Sequence, residues 1–328
     1  MIYLDSGATT LEKPPAVARA MAQAVGEMSS PGRGNYPASQ KAARTAYDCR
    51  EAAAELFHVP APEQVIFTCN ATHGLNIAIR TLVRPGCRVA VSGYEHNAVT
   101  RVLHSIPGVE IMVADAPLFR PEQTLEGFHT ALRRGVDAVI CSHVSNVFGC
   151  VQPVEELAGL CRQTHTPLIV DASQSAGILP VLLADWGAAF VAMPGHKGLY
   201  GPQGTGLLLC GAEASPLLYG GTGSASRRQT MPIDLPDRLE AGTHNMPGIA
   251  GLLEGLRFVS HAGVERIAQW ERRLTRRAEE GLARLPGVEV FADKTGQGQT
   301  GVLSFCVKGM DCEQVGEELA RRQIAVRA

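Results

Sequence analysis

The feature that most restricts the fold of this chain is a succession of short apolar runs separated by stretches in which apolar residues recur at helical spacing. Runs at 64–68, 88–92, 109–114, 138–141, 168–170 and 188–193 each have the length of one strand. Helical patterns occupy 14–28, 38–57, 70–82, 125–134 and 154–164. Strands that alternate with helices pair in parallel and are covered on both faces, because each crossover lays its helix against the sheet. The expected architecture is therefore α/β, with a mainly parallel sheet sandwiched by helices. Ligands of such sheets bind beyond the carboxyl ends of the strands. Several of those ends carry polar residues here: His96 after 88–92, His143 to Asn146 after 138–141, and Asp171 to Gln174 after 168–170.

The rhythm changes toward the end of the chain. A helix at 246–259 leads to a helix at 264–285, strands at 288–292 and 301–307, a helix at 312–322 and a strand at 324–327, a small α+β unit. With 328 residues the chain suits a large domain and a smaller companion. We expect residues 14–255 to form the large domain, and 1–13 with 256–328 the small one. A net charge of −2 gives no electrostatic footprint for nucleic acid or an anionic membrane, so a small-molecule substrate is expected. No apolar run approaches the ~20 residues that span a bilayer, and the opening residues lack a signal-peptide pattern, which points to the cytoplasm. The nine cysteines are scattered without metal-ligand spacing, so no metal site is expected, and most are read as small buried hydrophobes.

The stretch 189–206, AFVAMPGHKGLYGPQGTG, has a lysine just past an apolar strand, before a glycine-rich hairpin and a further strand at 207–210. There are only five lysines, and Lys197 alone follows a strand pattern of this kind. Gly-His-Lys-Gly by itself fits a solvated surface lysine; at a buried strand end the amine would be held neutral and nucleophilic. The small-residue turn at 69–72 opens a helix, where free N–H groups favour a phosphate; Thr72 there is either a phosphate ligand or a plain helix cap. Arg33 and Asn35, between glycines in a polar loop, either face solvent or reach a ligand. A phosphate cradle, a histidine of ring size, an aspartate at a strand end and a buried lysine together are the parts that hold pyridoxal phosphate. A nucleotide-binding Rossmann site fits poorly, because Gly201-Pro-Gln-Gly-Thr-Gly does not open a helix and no P-loop is present.

In order, LDSGATT, FTCNATHGLN, YEHN, HVSNVFG, VDASQS, PGHKGLYGPQGTG, LEAGTHN and IAVRA resemble the class V aminotransferase group of fold-type-I pyridoxal-phosphate enzymes, most closely its cysteine desulfurase and selenocysteine lyase branch. The resemblance implies that Lys197 bonds the cofactor and later moves protons, that Asp171 holds the pyridine nitrogen and Gln174 the ring hydroxyl, and that His96 stacks on the ring. It gives Ala71, Thr72 and His196 to the phosphate, and Thr243 to the phosphate of a neighbouring subunit in a homodimer. Asn146 would face cofactor and substrate, with Arg33 and Arg327 toward the substrate. The activity implied is desulfuration of L-cysteine or selenocysteine, with a sulfur-acceptor protein as a further partner. An aminotransferase or β-lyase without a cysteine nucleophile, and a non-catalytic binding partner of the same fold, are the alternatives. Two departures stand out. Pro194 replaces a serine that the family uses for the phosphate, and the nucleophilic-cysteine loop that follows IAVR in desulfurases is absent from these 328 residues. The sequence is accordingly expected to be a shortened form with impaired desulfurase turnover.

Overall fold

The computed structural model describes residues 1–328 except Arg33, Ala225, Ser226 and Gln297. The chain begins with β1 (Ile2–Tyr3), α1 (Pro15–Glu27) and α2 (Pro37–Leu56). It then alternates through β2 (Val65–Thr68), α3 (Ala71–Leu82), β3 (Arg88–Ser92), α4 (Asn97–His104), β4 (Glu110–Ala114), α5 (Pro121–Arg133), β5 (Ala138–Ser142), α6 (Val154–Gln163), β6 (Leu168–Asp171), a single-turn α7 (Leu183–Trp186) and β7 (Phe190–Pro194). Next come β8 (Gly206–Cys210), α8 (Met246–Ala262), α9 (Val264–Leu282), β9 (Val288–Phe291), β10 (Ser304–Val307), α10 (Cys312–Arg321) and β11 (Ile324–Ala325).

Seven strands form one sheet in the order β2-β8-β7-β6-β5-β3-β4. Only β8 runs against its neighbours; the remaining pairings are parallel, as the alternation predicts. The central strands are buried along their whole length because helices cover both faces. Two apolar clusters lie on either side of the sheet. One contains Phe57, Phe128, Leu157 and Trp186, and the other Leu75, Ile79, Val99 and Leu103. Each fully buried Leu, Ile or Phe contributes about 1.5–3 kcal/mol, so the sheet is a rigid platform for whatever its loops carry.

The last elements pack as a separate layer. β9 and β10 pair antiparallel, and β1 pairs in parallel with β11, bringing Ile2 opposite Ile324. Phe148 meets Phe291 edge to face, and the Gln299 amide donates to the Phe148 carbonyl. This layer therefore docks on the loop that leaves β5.

Among the boundaries that differ from expectation, two have identifiable reasons. Gly301 donates its N–H to Glu271 and not to a strand partner, so β10 starts at Ser304. The last strand stops at Ala325, and Arg327 turns aside to pair with Asp5. The helix α4 has no counterpart in the sequence reading, where His96 stood merely beyond a strand.

Candidate active site

Pro194 ends β7, and the turn Gly195-His196-Lys197-Gly198 then carries Lys197 to the carboxyl edge of the sheet. The position of that turn is fixed by backbone packing. A Cβ on Gly198 would lie 2.4 Å from the Ala176 carbonyl oxygen, and one on Gly177 would lie 2.3 Å from the Gly198 oxygen. Only residues without a side chain permit so close an approach. The Lys197 turn and the turn that follows Asp171 are thereby locked to each other.

The segment after β1 closes on the same turn. Thr10 donates its N–H and its hydroxyl to the His196 carbonyl at 3.1 and 3.0 Å, and His196 Nδ1 lies 3.1 Å from the Thr9 hydroxyl. Gln174 Nε2 donates to the Gly7 carbonyl at 2.9 Å, leaving its amide oxygen without a protein partner among the described residues.

These elements surround a cavity of 260 Å³ bordered by Ala71, Thr72, His96, Asn146, Asp171, Gln174, His196 and Lys197, together with Ser142 and Pro194. Eight residues named from sequence thus meet in one place. Asp171 is buried at the end of β6; its Oδ1 accepts from the Ser173 N–H at 2.9 Å and from the Ser173 hydroxyl, and its Oδ2 has no protein donor among the described residues. Lys197 is held below the ordinary lysine range by burial, opposed by the charge of Asp171 and reinforced by Arg327. His196 is lowered as well, first by burial and then by Lys197 and Lys13.

At the far wall Asn70 caps α3 by accepting from the His73 N–H at 2.9 Å. The cap is thus Asn70, and Thr72 stands in the first turn, where N–H groups have no acceptor within the helix. His96 caps α4: its Nδ1 accepts from the Ala98 N–H at 3.0 Å, which places the ring proton on Nε2.

Two other candidates lie elsewhere. Thr243 is exposed and outside the cavity lining. Arg327 is likewise outside the lining, its Nε and Nη2 donating to Asp5 at 3.1 and 2.9 Å. Arg33 falls outside the described residues. Of the polar strand ends, His143 points away from the cavity and packs edge to face on Trp186 with ring centroids 5.2 Å apart.

Two carboxylates were missed from sequence. Glu240, in LEAGTHN, receives two bonds from Arg50, one from the Phe67 N–H, and lies 2.6 Å from His244 Nε2. Burial would raise its carboxyl, but His244 and Arg50 outweigh that and hold it low. The hub ties the segment bearing Thr243 to the strand that leads into the α3 cap. Glu95 sits just before His96 and takes three hydrogen bonds, from Ser92 and Ser142. The buried ends of both acids follow from contacts distant in sequence; adjacency to His96 was the one local signal.

An open, mainly parallel sheet with a lysine and an aspartate bordering one cavity at its carboxyl edge defines an α/β protein that binds its ligand beyond the strand ends. Residues 2–328 match the family described as aminotransferase class-V, and the chain belongs to that family. It is 31% identical, over 97% of its own length and 81% of the relative's, to a probable cysteine desulfurase of Methanothermobacter thermautotrophicus. It is 30% identical to a cysteine desulfurase of Escherichia coli over all of its length and 83% of the other chain. The apo structure of cysteine desulfurase from Thermococcus onnurineus superposes with a TM-score of 0.90 at 29% identity, covering 99% of this chain and 84% of that one.

Proposed function

We propose that this chain binds pyridoxal 5'-phosphate through Lys197 and is an enzyme of cysteine desulfurase type, taking L-cysteine to L-alanine with the sulfur leaving as a persulfide. The observation that carries this is the shared cavity of Lys197, Asp171, His96 and the first turn of α3. The donor set fits the cofactor. Asp171 Oδ2 is free to hold a ring nitrogen, the N–H groups of Ala71 and Thr72 with His196 suit a phosphate, and the Gln174 amide suits a ring hydroxyl. When bound, the cofactor supplies an aldehyde carbon that an amine can join, and a protonated ring that draws electron density from the substrate α-carbon.

Each residue then has a task that its surroundings allow. Burial favours the neutral amine of Lys197, so it can take a proton from the α-carbon side of the cavity and return one. His96, fixed by its capping bond, offers a flat ring against the cofactor. Asn146, in the cavity lining, faces cofactor and substrate, and Arg33 and Arg327 are the cations assigned to a substrate carboxylate, which Arg327 reaches only by leaving its pair with Asp5. A homodimer in which Thr243 reaches the partner's phosphate is consistent with its exposed position. A sulfur-acceptor protein would take the product sulfur. The cytoplasm is the proposed compartment, supported by nine cysteines that are all free thiols.

Desulfuration needs a thiolate to take the substrate sulfur as the carbon–sulfur bond breaks. No cysteine borders the cavity among the described residues; Cys69, Cys306 and Cys312 are exposed elsewhere. This favours a second reading, β-elimination or amino transfer by the same residues, for which no thiolate is required. Reconstitution with the cofactor tests both. The 328-residue chain is expected to gain a visible absorbance band that Lys197→Ala abolishes, while alanine release from cysteine stays low; pyruvate and ammonia would mark the second reading. A band that survives Lys197→Ala overturns the assignment of the lysine.

A further inference from the structure

Glu95 belongs to the short turn between β3 and α4, and its carboxyl group bridges two strand ends that the cofactor site uses. Its Oε1 accepts from the Ser92 hydroxyl at 2.5 Å and from the Ser142 N–H at 2.8 Å, and its Oε2 accepts from the Ser142 hydroxyl at 2.8 Å. The residue is half-buried, yet the carboxyl itself is enclosed. Ser142 borders the cavity and is the register partner of Asp171 on the adjacent strand. The Asp171 carbonyl also receives the His143 N–H at 2.9 Å, which clamps β5 to β6 at this level. One carboxylate therefore holds the ends of β3 and β5, stands one residue from His96, and lies one strand away from Asp171.

We propose that Glu95 is a positioning residue whose carboxyl, behind the cavity wall at Ser142, would add a second negative charge next to the cofactor pocket and so move the pH transition of the bound cofactor upward. The inference rests on the cofactor assignment above. Three donors converge on the carboxyl, an arrangement suited to the ionised form. Burial opposes ionisation and, with the Asp171 charge adding to it, brings the group to about 7, against hydrogen bonds that pull it down. The carboxyl acts on the site from behind Ser142, since Glu95 itself does not border the cavity.

The other titratable groups around it come from each neighbouring element. Cys141 on β5 is pushed well up by burial, with Glu95 and Asp171 adding to the effect. Tyr94 and Asp115 flank the turn on the β4 side, with Tyr94 also raised chiefly by burial. His96 stands at the head of α4, and Lys197 and His196 border the cavity beyond. Of these only Asp171 is an acidic group bordering the cavity.

The test is the visible absorbance of the reconstituted protein as a function of pH. Glu95→Gln is expected to keep the band and to lower the midpoint of its pH transition by about half a pH unit or more, the scale on which a partly screened neighbouring charge acts. Ser92→Ala keeps the carboxylate but removes a bond that favours its ionised form; any inflection belonging to Glu95 should then move to higher pH. Band present with both profiles unmoved overturns the role of Glu95 alone. Should Glu95→Gln fail to fold, the Ser92→Ala profile decides by the same criterion. No band in the wild-type protein overturns the cofactor assignment, and this inference with it.

Discussion

At the residue scale, two groups close to the same sheet edge take opposite directions for one reason. Burial disfavours charge, so it raises the Glu95 carboxyl and lowers His143, which falls from 6.5 to about 4. The Nδ1 of His143 has no hydrogen-bond partner among the described residues and its ring rests on Trp186, so burial there disfavours the charged form. Its contribution to stability has a definite sign. Between pH 6.5 and 4 the unfolded chain binds a proton that the folded chain refuses, so stability is present above that window and is lost as pH falls through it. The loss is at most about 3 kcal/mol. His143→Phe should flatten the difference between denaturant midpoints measured at pH 7 and pH 4.5, and an unchanged difference would remove His143 from the acid response. Such a role was not visible in the sequence, where His143 looked like one more polar strand end aimed at a ligand. Successive residues of a strand point to opposite faces, and the end of β5 offers Ser142, not its neighbour, to the cavity.

At the scale of elements, the site depends on how tightly two turns approach. Lys197 and Asp171 are carried by different strands, β7 and β6, and the contact of Gly177 with Gly198 sets the spacing of their turns. Gly198→Ala places a methyl group against the Ala176 carbonyl, which is backbone and cannot swing away. We expect a cost of about 1–3 kcal/mol in stability, together with weaker cofactor retention, measured by thermal unfolding and by the absorbance remaining after gel filtration. A variant with the wild-type melting temperature and full retention would show that the turns have slack. The central strands, α3 and α8 were legible from apolar spacing because each buries a continuous apolar surface. Helix α4 was not: it has eight residues, and its start is defined by the His96 ring accepting the Ala98 N–H. A histidine cap leaves little trace in composition, since serine, threonine, aspartate and asparagine are the usual signals.

For the whole molecule, the order of motifs along the chain carried most of the site, because each strand end holds one or two of its groups and the sheet order brings those ends together. Contacts between distant segments were less legible. Nothing near Arg50 announces Glu240, yet the two meet as a buried ion pair at 2.7 Å that binds α2 to the segment containing Thr243. Thr243 in that segment is exposed, and in the function proposed above it would reach the phosphate held by a second copy of the chain. The protein is expected to sediment as a dimer, and Thr243→Ala to weaken cofactor binding roughly tenfold, the effect of losing about one hydrogen bond to a charged group. Equilibrium dialysis measures this, and unaltered affinity would take Thr243 out of the site. Among the described residues no helix is long and apolar enough to cross a membrane.

The pairing of Ile2 with Ile324 also has a consequence for biogenesis. The segment that clasps the His196 carbonyl through Thr9 and Thr10 follows β1, whose strand partner among the described residues is β11, more than 300 residues later in synthesis. A nascent chain can complete its large sheet and still leave the lysine turn uncovered, so that wall closes only after the platform it stands against.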